Sequence, residues 1–173
     1  EEILGKPAEK ATADDIVVLS REQVMQLFYA AQTPASSDLN GEYEVMMTGA
    51  GILTPAANFY VSYLFGPGNW LGKGFSPAEK EGYNLFQSAI GVTRTRRMET
   101  SIGPSAYDGK NSFLLNYAPF NGGLEHSMRD EIRKINGSLF LGMGAMAANG
   151  GTFNPGPFLL KGPAKPWKGP DAR

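Results

Sequence analysis

Two runs of alternating side chains flank Asn136-Gly137 in the stretch SMRDEIRKINGSLFLGM, residues 127 to 143, and no other feature restricts the fold as tightly. Asn-Gly suits a type I′ turn, because both central residues take positive φ there. The spacing therefore predicts a two-residue β-hairpin. After the turn, Leu139, Leu141 and Met143 share one face. Before it, Met128 and Ile132 share a face while Arg129, Glu131 and Arg133 occupy the other. One side of the hairpin is expected to be wet or to meet a charged partner.

The rest of the chain repeats short apolar runs between turn residues. Its 22 glycines and 12 prolines in 173 residues fall between those runs, which points to many turns and a barrel or sandwich. That length is enough for one domain with a core of its own. The absence of cysteine excludes disulfides, thiolate metal sites and a cysteine nucleophile. A net charge of −1 hides an uneven distribution: residues 1 to 50 carry 3 Lys/Arg against 9 Asp/Glu, and the remainder carries 13 against 8. No apolar run approaches the roughly 20 residues that span a bilayer, so the chain reads as soluble, with any targeting segment removed or never present.

Residues 1 to 15 are expected to form an extended arm, 16 to 161 a single β-barrel domain, and 162 to 173 an extended proline-rich tail. Ile16 to Leu19 reads as a short strand. Ser20 and Gln23 form a capping box with Leu19 and Val24 as a staple, and Val24, Leu27, Phe28 and Ala31 make one apolar stripe, so a helix is predicted from about 21 to 31. Strands are expected over 41–48, 70–75, 83–86, 93–102 and 112–117. Residues 55 to 65 read as either a second helix or a strand. The fold class is mainly β, a small antiparallel barrel with one N-terminal helix and room for a second short one.

Few residues suggest chemistry. His126 is the only histidine, and Glu125 and Ser127 beside it would point to opposite faces of a strand, the wrong geometry for a relay. Asp130 and Glu131 diverge in the same way, and GMGAMAANGG lacks the GK[ST] of a phosphate loop. Arg94, Arg96 and Arg97 form the densest basic cluster. Two of them are expected on one face about 7 Å apart, either gripping an acidic group or forming a solvated face paired with Glu99 and Glu131. With Trp70, Trp167 and the tail lysines Lys165 and Lys168, they are the residues expected to meet a partner. The abundant aromatics, Phe75, Phe113 and Phe140 among them, are assigned to the core. No catalytic residue, metal or cofactor is expected, and the weak overall charge argues against nucleic acid as a partner.

The early helix, the strand opening at Leu39-Asn40-Gly41-Glu42-Tyr43 and the late hairpin resemble the calycin plan and the plastid lipid-associated (fibrillin) family, with Tyr43 in place of the usual Trp. The segments Phe65-Gly66-Pro67-Gly68-Asn69-Trp70, Ile102-Gly103-Pro104-Ser105 and Pro166-Trp167-Lys168-Gly169-Pro170 also look like small β-rich plastid proteins of diatom-type algae, which include a non-catalytic accessory subunit of photosystem I. That resemblance implies a stromal location at the thylakoid surface, peripheral rather than spanning, and loops that grip neighbouring protein subunits, with lipid or pigment contact open. A calycin-type carrier of a lipid or pigment is the alternative. The carrier needs an open apolar cavity, and the subunit needs a filled barrel with apolar loops.

Overall fold

The computed structural model describes residues 2–48 and 65–171. The segment read as helix or strand over 55–65 lies outside these residues except for Phe65. Two helices lead into the sheet. The first, α1, spans Ala13–Val17, and a 3₁₀ turn at Ala8–Lys10 precedes it, which corrects the expected extended arm and the strand expected from Ile16. The reason is capping. Asp15 accepts from both the backbone N–H and the hydroxyl of Thr12 at 2.8 Å, and from Lys6 Nζ at 2.6 Å. Polar residues that look like a loose arm thus fasten a helix start, and Ile16 is the buried face of α1.

Helix α2 spans Arg21–Ala30, where the capping box predicted it. Gln23 N donates to Ser20 Oγ at 3.2 Å and Ser20 N donates to the Gln23 side chain at 2.9 Å. Val24, Leu27 and Phe28 form its buried stripe.

Eight strands follow: β1 Gly41–Met47, β2 Asn69–Ser76, β3 Glu81–Ser88, β4 Gly91–Pro104, β5 Asn111–Asn116, β6 Arg129–Lys134, β7 Leu139–Ala145 and β8 Gly156–Lys165. Each pairs antiparallel with the next, and β8 pairs back onto β1, so the sheet closes into an eight-stranded up-and-down barrel. The fold is mainly β, as the turn density implied. The barrel reaches Lys165, past the boundary expected at residue 161. Among the described residues no helix is long and apolar enough to cross a membrane.

Two cores share this sheet. The inner one fills the barrel with Tyr43, Phe75, Phe86, Met98, Phe113, Leu115, Ile132, Phe140, Phe158 and Leu160. The outer one lies between the helices and the barrel wall, where Ile16, Val24, Leu27 and Phe28 meet Leu139, Leu141, Met143 and Leu159. β7 is therefore buried on both sides: Phe140 faces inward while Leu139, Leu141 and Met143 face α1 and α2. The hairpin face expected to be wet is corrected by this arrangement. Arg133 on that face is 1% exposed and is fully used, donating to Ser112 Oγ at 2.7 Å, to Asp108 Oδ1 at 2.8 Å and to the Phe28 carbonyl at 3.3 Å.

The turn itself differs from expectation. Neither Asn136 nor Gly137 takes a positive φ, and β6 and β7 pair from Lys134↔Phe140 outward, leaving a longer loop. The Asn136 amide instead donates to the carbonyls of Ala8 and Ala11, each at 3.0 Å. Tying down the N-terminal segment overrides the local turn preference.

Candidate functional site

Among the described residues, inward-facing positions of the barrel hold one charged pair. Lys73 of β2 lies in register between Gly72 and Gly74, two residues before the core residue Phe75, and Asp130 of β6 lies two residues before Ile132. Both therefore point inside, where they are 1% and 2% exposed and meet at 2.8 Å. Lys73 Nζ also donates to Asn84 Oδ1 at 2.9 Å and to the Tyr117 hydroxyl oxygen at 2.5 Å, which uses all three of its protons. Tyr117 in turn donates to Asp130 Oδ2 at 3.0 Å, and Trp70 Nε1 donates to Asn84 Oδ1 at 3.1 Å. The rings of Trp70, Phe158 and Tyr117 surround the ammonium at 5.1, 5.2 and 5.3 Å.

Burial pushes the Lys73 pKa down, and the attraction of Asp130 opposes that shift. One acceptor is open: Asp130 Oδ1 is buried and has no partner among the described residues, and a Cβ placed on Gly144 would sit 3.3 Å from it. This polar cluster was not legible as a site from the motifs, which supply no convergent acid and base. Its signal was parity: a charge of each sign at a position where alternation calls for an apolar residue.

A second cluster lies on the outer face where the tail crosses the barrel. Glu42 Oε1 accepts from Arg94 Nε at 2.6 Å and from the Tyr83 hydroxyl at 2.8 Å. Trp167 stacks on Tyr83 with centroids 4.4 Å apart and planes at 26°, and its indole N–H donates to Glu79 at 3.1 Å. Lys168 N donates to the Tyr83 hydroxyl oxygen at 3.2 Å, and Lys165 lies in register with Glu42 across the β1–β8 seam. Burial, with the nearby Glu42 carboxylate adding to it, raises the Tyr83 pKa to about 12. Beside the cluster, Glu42, Glu44, Leu71, Leu85, Val92 and Lys165 line a solvent-open cleft of about 340 Å³.

The structure thus gathers Arg94, Trp167, Lys168 and Lys165 in one place. It separates Arg96 and Arg97 from them. Gly82 is opposite Met98 while Asn84 is opposite Thr95, so β4 carries one extra residue, and Arg96 takes φ 52° in that bulge. Strict alternation would place Arg94 and Met98 on one face; with the bulge between them Arg94 points out and Met98 points in. The expected partners Glu99 and Glu131 are also replaced. Arg96 pairs with Glu125 at 3.2 Å, and Arg97 pairs with Glu81 at 2.6 Å over the Phe120 ring. Trp70, expected at a partner surface, points into the barrel and contacts Phe65 and Phe158 edge-on.

His126 is exposed on the 3₁₀ turn Gly123–Ser127, not on a strand. The glycine-rich stretch continues β7 and then makes short 3₁₀ turns at Ala147–Asn149 and Gly151–Phe153. Among the described residues no group of three His, Cys, Asp or Glu is placed to hold a metal ion.

Neither a family model nor a curated protein matches this chain. Among solved structures it is similar to a protein from Thermomonospora curvata, at 15% identity and a TM-score of 0.58 over 83% of this chain and 87% of that one. A likeness at this identity shows the fold and nothing finer: this chain is an eight-stranded antiparallel β-barrel.

Proposed function

We propose that the chain is a non-catalytic accessory subunit that binds other proteins through its loops. The observation that carries this reading is the set of bare apolar residues at one end of the barrel. Strands alternate in direction, so the β3–β4, β5–β6 and β7–β8 connections all emerge at that end. They present Ile90 at 96%, Leu124 at 51% and Phe153 at 98% exposure, each on a different connection. Large side chains left this open on separate loops suit a protein interface better than solvent. The inner core adds support, since its own rings, aliphatics and matched ion pair take the space that a calycin-type carrier of lipid or pigment would need. The finer reading, a peripheral subunit of photosystem I on the stromal face of the thylakoid membrane, rests on the sequence resemblance alone.

Fractionation of native membranes tests both levels. Co-migration with photosystem I supports the finer reading, and co-migration with another complex retains only the coarser one. Recovery solely as a free monomer with bound lipid overturns both in favour of the carrier. An Ile90→Ser/Phe153→Ser variant is expected to leave the complex while remaining folded.

A further inference from the structure

Strand β4 has 14 residues and β5 has 6. β5 pairs with the Glu99–Pro104 half of β4 alone, so the Gly91–Met98 half has no neighbouring strand on that side among the described residues. Part of this edge is covered: Asn121 donates to the Arg97 carbonyl at 2.8 Å.

In an antiparallel ladder the N–H and C=O of alternate residues turn to the same side. At Arg94 both groups turn away from β3, and one tail residue takes them. Asp171 N donates to the Arg94 carbonyl at 3.0 Å, and Arg94 N donates to Asp171 Oδ2 at 2.7 Å. Two residues earlier, Val92 has the same orientation. Neither of its backbone groups has a partner on that side among the described residues, and its side chain is 38% exposed.

We propose that the Gly91–Arg94 edge is a strand-addition site for an extended acidic segment of a partner protein, and that Asp171 is this chain's own placeholder in it. Open strand edges accept a further strand through their backbone groups, with side chains setting the preference. The acidic preference follows from Asp171, whose carboxylate already takes the Arg94 amide. The tail cannot lengthen its own pairing toward the anchor. Pro170 has no N–H to give, and Trp167 is fixed on Tyr83. A partner without proline has neither restriction. The inference draws its biological sense from the protein-binding reading, but its test reads the edge directly, so either can fail alone.

The test uses the full chain, its Asp171→Ala variant, and a capped peptide of about seven residues alternating glutamate with valine and threonine, a typical strand length. Amide hydrogen exchange is followed at Val92 and Arg94, and affinity by calorimetry. In the free protein the Val92 amide is expected to exchange fast, and the peptide to protect it. Asp171→Ala is expected to raise peptide affinity about fivefold, because the competing carboxylate bond to the Arg94 amide is gone while the backbone N–H of residue 171 remains. Peptides N-methylated at alternate amides, or carrying lysine for glutamate, are expected to lose binding. A Val92 amide protected before any peptide is added overturns the proposal. So does equal binding of the methylated or lysine peptide, or an Asp171→Ala variant that binds no better than the parent chain.

Discussion

Lys73 and Asp130 show how much one residue can decide inside a barrel. Removing one partner leaves the other charged and buried, so Lys73→Met is expected to cost about 3–5 kcal/mol, whereas Lys73→Met with Asp130→Leu is expected to recover most of that. Denaturant unfolding of the two single variants and the double variant measures the difference. The pair was within reach of the sequence, since Asp130 shares parity with Met128 and Ile132, and Lys73 with Phe75. What hid it is that motif logic looks for charged residues near one another along the chain, while this pair is brought together by closure of the sheet. At the surface, the Lys6 ammonium first, and then the Thr12 backbone and hydroxyl, hold Asp15 down at about 2. A carboxylate with a lowered folded pKa contributes stability above its ordinary pKa of 3.8, and that contribution is lost as pH falls toward about 2. Lys6→Met is expected to move the Asp15 midpoint back toward 3.8, as read by NMR titration of its carboxyl carbon.

At the scale of elements, glycines in the strands are seats for rings. A Cβ on Gly142 of β7 would lie 2.2 Å from Phe158 Cζ, so the flat ring of β8 packs directly onto the β7 backbone. Gly142→Ala is expected to destabilise by about 1–3 kcal/mol through overpacking, detectable as a lowered midpoint in urea. The tail behaves as an element too, because Tyr83 keeps its raised pKa through burial and through Glu42. Glu42→Gln is expected to bring the Tyr83 midpoint down from about 12 toward 10.0 in an absorbance titration, with burial keeping part of the shift. Helix α2 was legible because its signals are local: the cap, the box and the stripe all lie within twelve residues of one another. The bulge at Arg96 was not, because an extra residue in β4 shows itself only against the register of β3. The same holds for the turn at Asn136, whose side chain answers to Ala8 and Ala11, more than a hundred positions away.

Over the whole molecule, the two cores depend on one wall. α1 and α2 cover Leu139, Leu141, Met143 and Leu159, which lie on the outer surface of β7 and β8. Deleting residues 2–31 is expected to expose that patch and drive association, seen as a shift to larger species in size-exclusion chromatography. The barrel, the apolar stripe of α2 and the aromatic filling of the interior were readable from period and composition. The pairing of the helices with β7 was not, since Leu139, Leu141 and Met143 announce an apolar face without saying what covers it.

The seam between β1 and β8 joins the first strand of the barrel to the last. A nascent chain emerging from the ribosome has the apolar stripe of α2 and then β1, yet β7 and β8, which shield them, follow only after five further strands. Until Gly156–Lys165 has been translated, β1 lacks its second neighbour and Val24, Leu27 and Phe28 lack part of their wall. A chain interrupted before β8 is therefore left with sticky surface that nothing of its own covers.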